Sequence, residues 1–417
     1  MNYKEAINLI ESVNYGHSED SSNFERVLKM LELDIVKSNI IQIAGTNGKG
    51  SVGTFLSILL RDQGYKVGHF SSPHLEKYEE RIKINSKPIS KKLLTENVQR
   101  IFEKVPREKL RELTYFEVSF LLALQVFSDE KPDFYVIETG IGGRFDITNI
   151  FDSNLLSIIT TIGFDHQQLL GNSLLEIAYH KAGIIKNRSK AISFKHQEDV
   201  DEVIIQEARE KNAQLEFLFD KDYNIGKVDF EGSRFSYKDL NLRTKVLGNY
   251  QMKNISLAIM ALEKILTDVD YLKVEESTRN FYFEGRMEIV RKNPFVILDG
   301  AHNVEGLNAL FENVKSLEIR DYYLVLGSMK DKSIVPGLYN LAKLAKKIIL
   351  TKIQYERAME PQDLGKKLQD FDDKIIIKDS VKETSNYLLS DLSKDERVLI
   401  AGSLYLIGEF KKYLKDE

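Results

Sequence analysis

The 417-residue chain contains no cysteine, which excludes disulfides, thiolate catalysis and cysteine-based zinc sites and suits a reducing compartment. Nor does it carry a large excess of charge. Fifty-nine Lys and Arg stand against 63 Asp and Glu, a net charge of −4, so neither a nucleic acid nor an acidic membrane surface is expected as the main partner. No apolar run reaches membrane-spanning length, and the opening MNYKEAINLI lacks the basic head and apolar stretch of a secretory leader. Cytoplasmic residence is the expectation. The chain shows no repeat at a fixed period and no low-complexity tract. What remains is a globular composition, 42% hydrophobic and 29% charged, on a chain too long for one ordinary domain. Two domains, each with its own core, are expected.

The most informative stretch runs from Asn39 to Val52. Ile40, Ile41 and Ile43 suit a buried parallel strand, and Val52, Phe55, Leu56, Leu59 and Leu60 recur at helical spacing up to Gly64. Between strand and helix lies GTNGKGS, residues 45–51. Gly45, Gly48 and Gly50 permit backbone angles that let successive N–H groups face an anion at a helix N-terminus, and Lys49 adds a mobile full charge. The usual phosphate-loop spacing is not met, since Ile43 stands where the first glycine would be and Gly50 separates Lys49 from Ser51. A glycine-rich turn alone would be weak evidence. Strand, lysine and helix together favour a phosphate cradle.

Further along, short β-rich runs each end in a polar cluster: residues 65–70 before SSPHL, 134–138 ending in Glu138, and 155–162 before Gly163-Phe-Asp-His166. In an open parallel sheet, ligands bind beyond the carboxyl ends of the strands. The glycine loop, Ser71 with Ser72, Glu138, and Asp165 with His166 therefore converge on one sheet edge. His17, in a polar stretch near the start, reads as solvated. Residues 173–186 form a helix carrying Tyr179-His-Lys-Ala-Gly183, and 215–250 alternates like an antiparallel patch attached to the first domain. The charged, Pro-containing stretch 288–294 reads as an interdomain linker. Beyond it, strands at 295–298, 322–326, 347–352, 374–378 and 397–401 alternate with helices, as in a Rossmann-like domain.

The motifs GTNGKGS, SSPHL, GIGGRFDITN, DHQQLLG, KAGI, DGAHN and GSLYLIG occur in one order along nearly the whole chain. Together they resemble the folylpolyglutamate synthase and dihydrofolate synthase family of the Mur ligase superfamily. The resemblance implies an α/β fold: an N-terminal P-loop ATPase domain with a mostly parallel sheet at 1–290, and a smaller Rossmann-like glutamate ligase domain at 295–417. It implies ATP-dependent addition of L-glutamate to a folate through an acyl phosphate, with dihydropteroate as a second acceptor. ATP would be held by Gly45, Thr46, Asn47, Gly48, Lys49, Gly50 and Ser51, and by Asn254, Arg286, Asp299 and His302, between the domains. Ser71, Glu138 and His166 fall where the family places Mg²⁺ ligands, and Lys181 of KAGI where it carries a carbamylated lysine for a second Mg²⁺; a monovalent cation also belongs to the picture. Lys49, Lys181 and His166 are the catalytic candidates. A cytoplasmic monomer is implied.

Three departures from the family pattern bear on the hinge and on the second metal site: Glu284 before Gly-Arg in place of proline, Val304 in place of proline after DGAHN, and His180 in place of an acid before KAGI. Read without the resemblance, His166 is as well a capping or core histidine, Asn254 a helix-surface amide, Arg286 an ion-pair member and Asp299 a turn carboxylate. Glu138, closing an apolar strand, would be costly to bury without a cation. Two rival functions stand beside the ligase reading. One is a Mur-type amide ligase for another carboxylate, which would carry a further substrate domain that residues before 39 do not accommodate. The other is a nucleotide-binding module without chemistry, against which Lys49, Glu138, His166 and Lys181 all argue.

Overall fold

The computed structural model describes residues 1–13, 21–330 and 335–414, so His17 lies outside the described residues. The first sheet is built from β1 (Ile40–Ala44), β2 (Val67–Phe70), β3 (Ile82–Ile84), β4 (Lys87–Pro88), β5 (Phe134–Glu138), β6 (Leu156–Ile159), β7 (Lys190–Phe194) and β8 (Gln214–Leu218), in the order β4-β3-β2-β5-β1-β6-β7-β8. β2, β5, β1, β6, β7 and β8 are parallel, and β3 and β4 add an antiparallel edge. Both faces of β1 are covered, which is why its sequence is a continuous apolar run broken only by Gln42 rather than an alternation.

Alternation of side chains sorts the two faces. Phe70 packs on the rings of Phe116 and Phe120 at 5.7 and 5.3 Å, both from the helix Tyr115–Glu130. That helix starts where Thr114 and Glu117 satisfy each other's backbone N–H groups at 2.6 and 3.2 Å. Its fully buried Phe120, Leu121, Leu124 and Phe127 each stabilise the core by roughly 1.5–3 kcal/mol relative to exposure. Residue 69 of β2 and residue 138 of β5 point to the opposite face, beneath the helix Lys49–Asp62.

By its internal contacts the chain divides into two compact units, Met1–Asp222 with Asn254–Ser277, and Tyr223–Lys253 with Thr278–Glu417. The second contains an antiparallel sheet of β9 (Tyr223–Asp229), β10 (Gly232–Tyr237) and β11 (Leu240–Thr244). It also contains β12 (Glu288–Lys292), β13 (Phe295–Leu298), β14 (Tyr322–Leu326), β15 (Ala345–Thr351), β16 (Ile375–Lys378) and β17 (Arg397–Ala401), ordered β12-β13-β17-β14-β15-β16. All of these are parallel except the edge strand β12.

Two sequence expectations are corrected here. Residues 288–294 are not a linker: Glu288–Lys292 pairs antiparallel with β13, and its charges mark an edge strand. The 215–250 region is not one patch on the first unit. β8 continues the first parallel sheet, whereas β9–β11 group with the second unit, where Phe230 meets Phe295 edge-on at 5.1 Å and Leu247 joins the core of Leu307, Leu310 and Val314. A single boundary between 290 and 295 therefore does not describe how contacts divide the chain.

Candidate active site

The loop after β1 is held from below by the segment after β6. Thr46 N donates to Thr161 O at 2.7 Å and Asn47 N to Thr161 Oγ1 at 2.9 Å, while Thr160 Oγ1 donates to Asn47 O at 2.8 Å. Gly45, at φ +152°, is required by this contact, because a Cβ there would lie 1.7 Å from Thr160 Oγ1. Gly48, at φ +93°, precedes the helix Lys49–Asp62, and a Cβ on it would sit 2.6 Å from Asn254 Oδ1. Gly50 and Ser51 lie in that helix's first turn. Lys49 Nζ donates to Gly45 O at 2.7 Å, so the ammonium rests on its own loop.

The segment after β6 is braced in turn by a group that sequence reasoning missed. His196 Nε2 lies 3.2 Å from Ile162 N and 3.1 Å from Thr160 O, and its Nδ1 lies 3.3 Å from the buried Asp201 carboxylate. Lys195 pairs with the same carboxylate at 2.5 Å. The signal was present as the polar run Lys195-His196 directly after a buried strand.

The register Phe70↔Ile137 sets Ser71 and Glu138 at neighbouring strand ends. Glu138 is 2% exposed and His69, 1% exposed, lies 3.2 Å from its Oε1. Burial holds the His69 imidazole below its ordinary value, with the Glu138 bond opposing. Ser71 Oγ donates weakly to Glu80 O at 3.5 Å. His166 adopts the left-handed conformation at φ 51°, with its backbone N–H on Asp165 Oδ1 at 2.9 Å and its Nε2 3.9 Å from the same oxygen. No cluster of three His, Cys, Asp or Glu side chains suited to a metal forms among the described residues. The donors at hand nevertheless fit magnesium. A hard cation takes oxygen ligands, commonly one or two carboxylates completed by water and phosphate oxygens, and Glu138 beside Ser71 offers that chemistry.

Lys181 is 4% exposed. Burial first, and then the charge of Lys49, hold it well below the lysine range; Asp165 and Asp146 act the other way. The loop Gly140–Asn149 is seated on this helix. Arg144 N donates to His180 O at 2.6 Å, Asn149 Nδ2 to Gly183 O at 3.0 Å, and a Cβ on Gly183 would strike Arg144 Cβ at 2.4 Å. Asp146, buried, ties the loop to itself by accepting from Ile141 N at 2.8 Å, Thr148 N at 3.0 Å and Thr148 Oγ1 at 2.6 Å. Phe145 alone points outward, 70% exposed.

In the second unit, Asp299 accepts three hydrogen bonds from its own surroundings. Tyr250 Oη and Met287 N donate to Oδ2 at 2.9 Å, and Ala301 N to Oδ1 at 2.8 Å. Burial pushes its carboxyl up, with the Arg286 charge the largest opposing influence. Arg286 Nη1 donates to Gly285 O at 3.0 Å and lies where a Cβ on Gly300 would come within 2.2 Å. His302 Nδ1 is 2.8 Å from Gly300 O. Glu284, the residue in place of the family proline, pairs with Lys411 at 2.6 Å.

Comparison with known proteins gives the class first. The Mur ligase middle domain family matches residues 43–262 and the Mur ligase glutamate ligase domain family residues 285–404. A dihydrofolate synthase/folylpolyglutamate synthase of Bacillus subtilis is 34% identical over 398 residues, 91% of this chain and 91% of that one. A folylpolyglutamate synthase of Lacticaseibacillus casei is 28% identical, with 99% of each chain covered. The structure of E. coli FolC in complex with DHPP and ADP matches at a TM-score of 0.84 and 26% identity, covering 99% of this chain and 97% of that one. The chain belongs to the folylpolyglutamate synthase and dihydrofolate synthase family of Mur-type ligases.

Proposed function

We propose that the chain uses ATP to add L-glutamate to folates, building folylpolyglutamates through an acyl phosphate. The observation that carries this reading is the ordered loop Gly45–Ser51, with Lys49 at the start of a helix that rests at Gly53 on the buried Glu138. A folate carboxylate oxygen attacks the γ-phosphorus of ATP and ADP leaves, giving the acyl phosphate. The amine of glutamate then attacks the acyl carbon, phosphate departs, and an amide results. Both steps gather negative charge, so positioning and charge neutralisation supply most of the catalysis. Lys49 exchanges Gly45 O for a phosphate oxygen, while the N–H groups of Gly48 to Ser51, and not those of Thr46 and Asn47 that bond Thr161, bind the others.

Asn254, Arg286, Asp299 and His302 are proposed nucleotide contacts. Asp299 keeps lone pairs beyond its three protein donors, and Asn254 lies beside Gly48. Mg²⁺, when bound, neutralises phosphate charge; Ser71, Glu138 and His166 would hold one ion and Lys181, as its carbamate, a second. The amine of Lys181 adds carbon dioxide and loses a proton, and burial beside Lys49 favours the neutral amine that this needs.

The name borne by the Bacillus subtilis relative favours a second activity of the same site, with dihydropteroate as acceptor and dihydrofolate as product. One assay tests both: ATP-dependent phosphate release with glutamate plus tetrahydrofolate, dihydropteroate or a cell-wall precursor. Release with tetrahydrofolate is expected. Release with the cell-wall precursor alone would overturn the folate reading, and release with none would favour a module without chemistry.

A further inference from the structure

We propose that His69 is a positioning residue for Glu138: its neutral imidazole donates the Nε2 hydrogen to Oε1 and thereby fixes which carboxylate oxygen is presented to a divalent cation. The inference rests on the reading of Glu138 as a cation ligand. It begins with the pleat. His69 pairs in register with Val136, two residues before Glu138 on the same face of the parallel neighbour, so an imidazole at 69 can reach forward along the sheet to a carboxylate at 138. The two groups meet at 3.2 Å with 1% and 2% exposure.

The partners around the ring select its tautomer. Nδ1 is buried without a hydrogen-bond partner among the described residues. A hydrogen on Nδ1 would be an orphaned buried donor, a cost of about 1–3 kcal/mol, and would turn the Nε2 lone pair against the carboxylate. With the hydrogen on Nε2, only a bare acceptor is left unpaired, and Glu138 gains a donor that brings no competing positive charge. The carboxylate thus keeps its full charge for a cation while losing its freedom to rotate.

The helix above is shaped to the pair. A Cβ on Gly53 would come 3.0 Å from His69 Nε2 and 3.2 Å from Glu138 Oε1, so glycine lets the helix that begins at Lys49 settle closely on both without displacing either. A core histidine kept only for bulk would not need its one hydrogen bond directed at this carboxylate. Groups that orient a metal ligand in this way typically change metal affinity by about 10–100-fold when removed.

The test uses the full chain saturated with ADP and titrated with Mn²⁺, read by electron paramagnetic resonance, alongside the Mg²⁺ dependence of phosphate release and a circular-dichroism melt. His69→Leu should weaken Mn²⁺ binding, and raise the Mg²⁺ needed for half-maximal rate, by about tenfold or more, with a smaller change in rate at saturating Mg²⁺. His69→Gln, whose amide N–H can replace Nε2–H, should recover most of the affinity. Where His69→Leu does not fold, His69→Met, flexible and equally unable to donate, takes its place. Wild-type Mn²⁺ affinity in the non-donor variant, while Glu138→Gln abolishes binding, would overturn the positioning role and leave the cation reading standing. Wild-type affinity in Glu138→Gln would remove the cation reading itself.

Discussion

Lys49 and Lys181 show how differently two lysines can serve one site. Lys49 is tethered to Gly45 O, and the loop around it is held by backbone bonds to Thr161 that do not involve its side chain. Lys49→Ala should therefore leave the circular-dichroism spectrum and melt unchanged. It should lower ligation by roughly 100-fold or more, about 3 kcal/mol of lost transition-state stabilisation. Near-normal phosphate release from a folded variant would refute the phosphate assignment. Lys181, buried with a depressed ammonium, works against stability. The unfolded chain binds the proton that the folded chain releases, so stability should rise with pH from the depressed folded value up to the ordinary lysine value of 10.5. In carbon-dioxide-free buffer, Lys181→Met should melt higher than wild type at neutral pH and lose that slope, while losing ligation. Lys181→Ala should regain activity with acetate or formate. Rescue by small amines alone would show that the positive charge mattered, and not a carboxylate.

At the level of elements, the strands buried on both faces were the most legible. Phe134–Glu138, Phe295–Leu298, Tyr322–Leu326 and Arg397–Ala401 were each read to the residue from β-branched or aromatic runs. β6 ended early because beyond Ile159, where Thr160 N still reaches Ala44 O, the Thr160 and Thr161 hydroxyls serve the phosphate loop, a long-range demand that strand propensity does not encode. β12 was hidden because an edge strand with Glu288, Arg291 and Lys292 has the composition of a linker. Within the site, the motif residues were legible through the resemblance, but His69 was not: one polar residue in VGHF says nothing until the register places it beside Glu138. In the loop Gly140–Asn149, Asp146 and the helix end at His180–Gly183 fix the path, while Phe145, edge-on to the His180 ring at 5.6 Å, stays 70% exposed. Exchanging residues 141–145 for another family member's, with Gly143 and Asp146–Asn149 kept, should shift the preference between tetrahydrofolate and dihydropteroate. The change in KM for ATP should be smaller, because none of the exchanged side chains belongs to the phosphate loop. A larger effect on ATP than on the acceptor would refute this division of labour.

For the whole molecule, the division of the chain into two units makes the anchoring of the Glu284-Gly285-Arg286 turn a matter internal to the second. Lys411, near the C-terminal end of the helix Leu404–Leu414, donates to Glu288 at 2.9 and 3.2 Å and to Glu284 at 2.6 Å. Glu288 also accepts from Gly285 N at 2.6 Å and from Tyr282 Oη. These carboxylates raise the Lys411 ammonium above the lysine range although burial, the largest single influence, lowers it. Because the folded value is raised, the stability it contributes is complete below the ordinary lysine value and fades as pH climbs through the folded one. Glu284 is 56% exposed and adds little, but Glu288 is 4% exposed, and stripping a buried carboxylate of its cation costs about 3–5 kcal/mol. Lys411→Met should therefore destabilise the protein at pH 7, and progressively less as pH climbs through the raised folded value of the ammonium. Hydrogen exchange should quicken in residues 284–299, the segment that Glu288 ties to β13, while the amides of β1 and β5 keep their protection. Wild-type exchange at 284–299 in the variant would show that the turn is held by its backbone pairing alone, and that the replacement of the family proline by Glu284 needs no cation to support it.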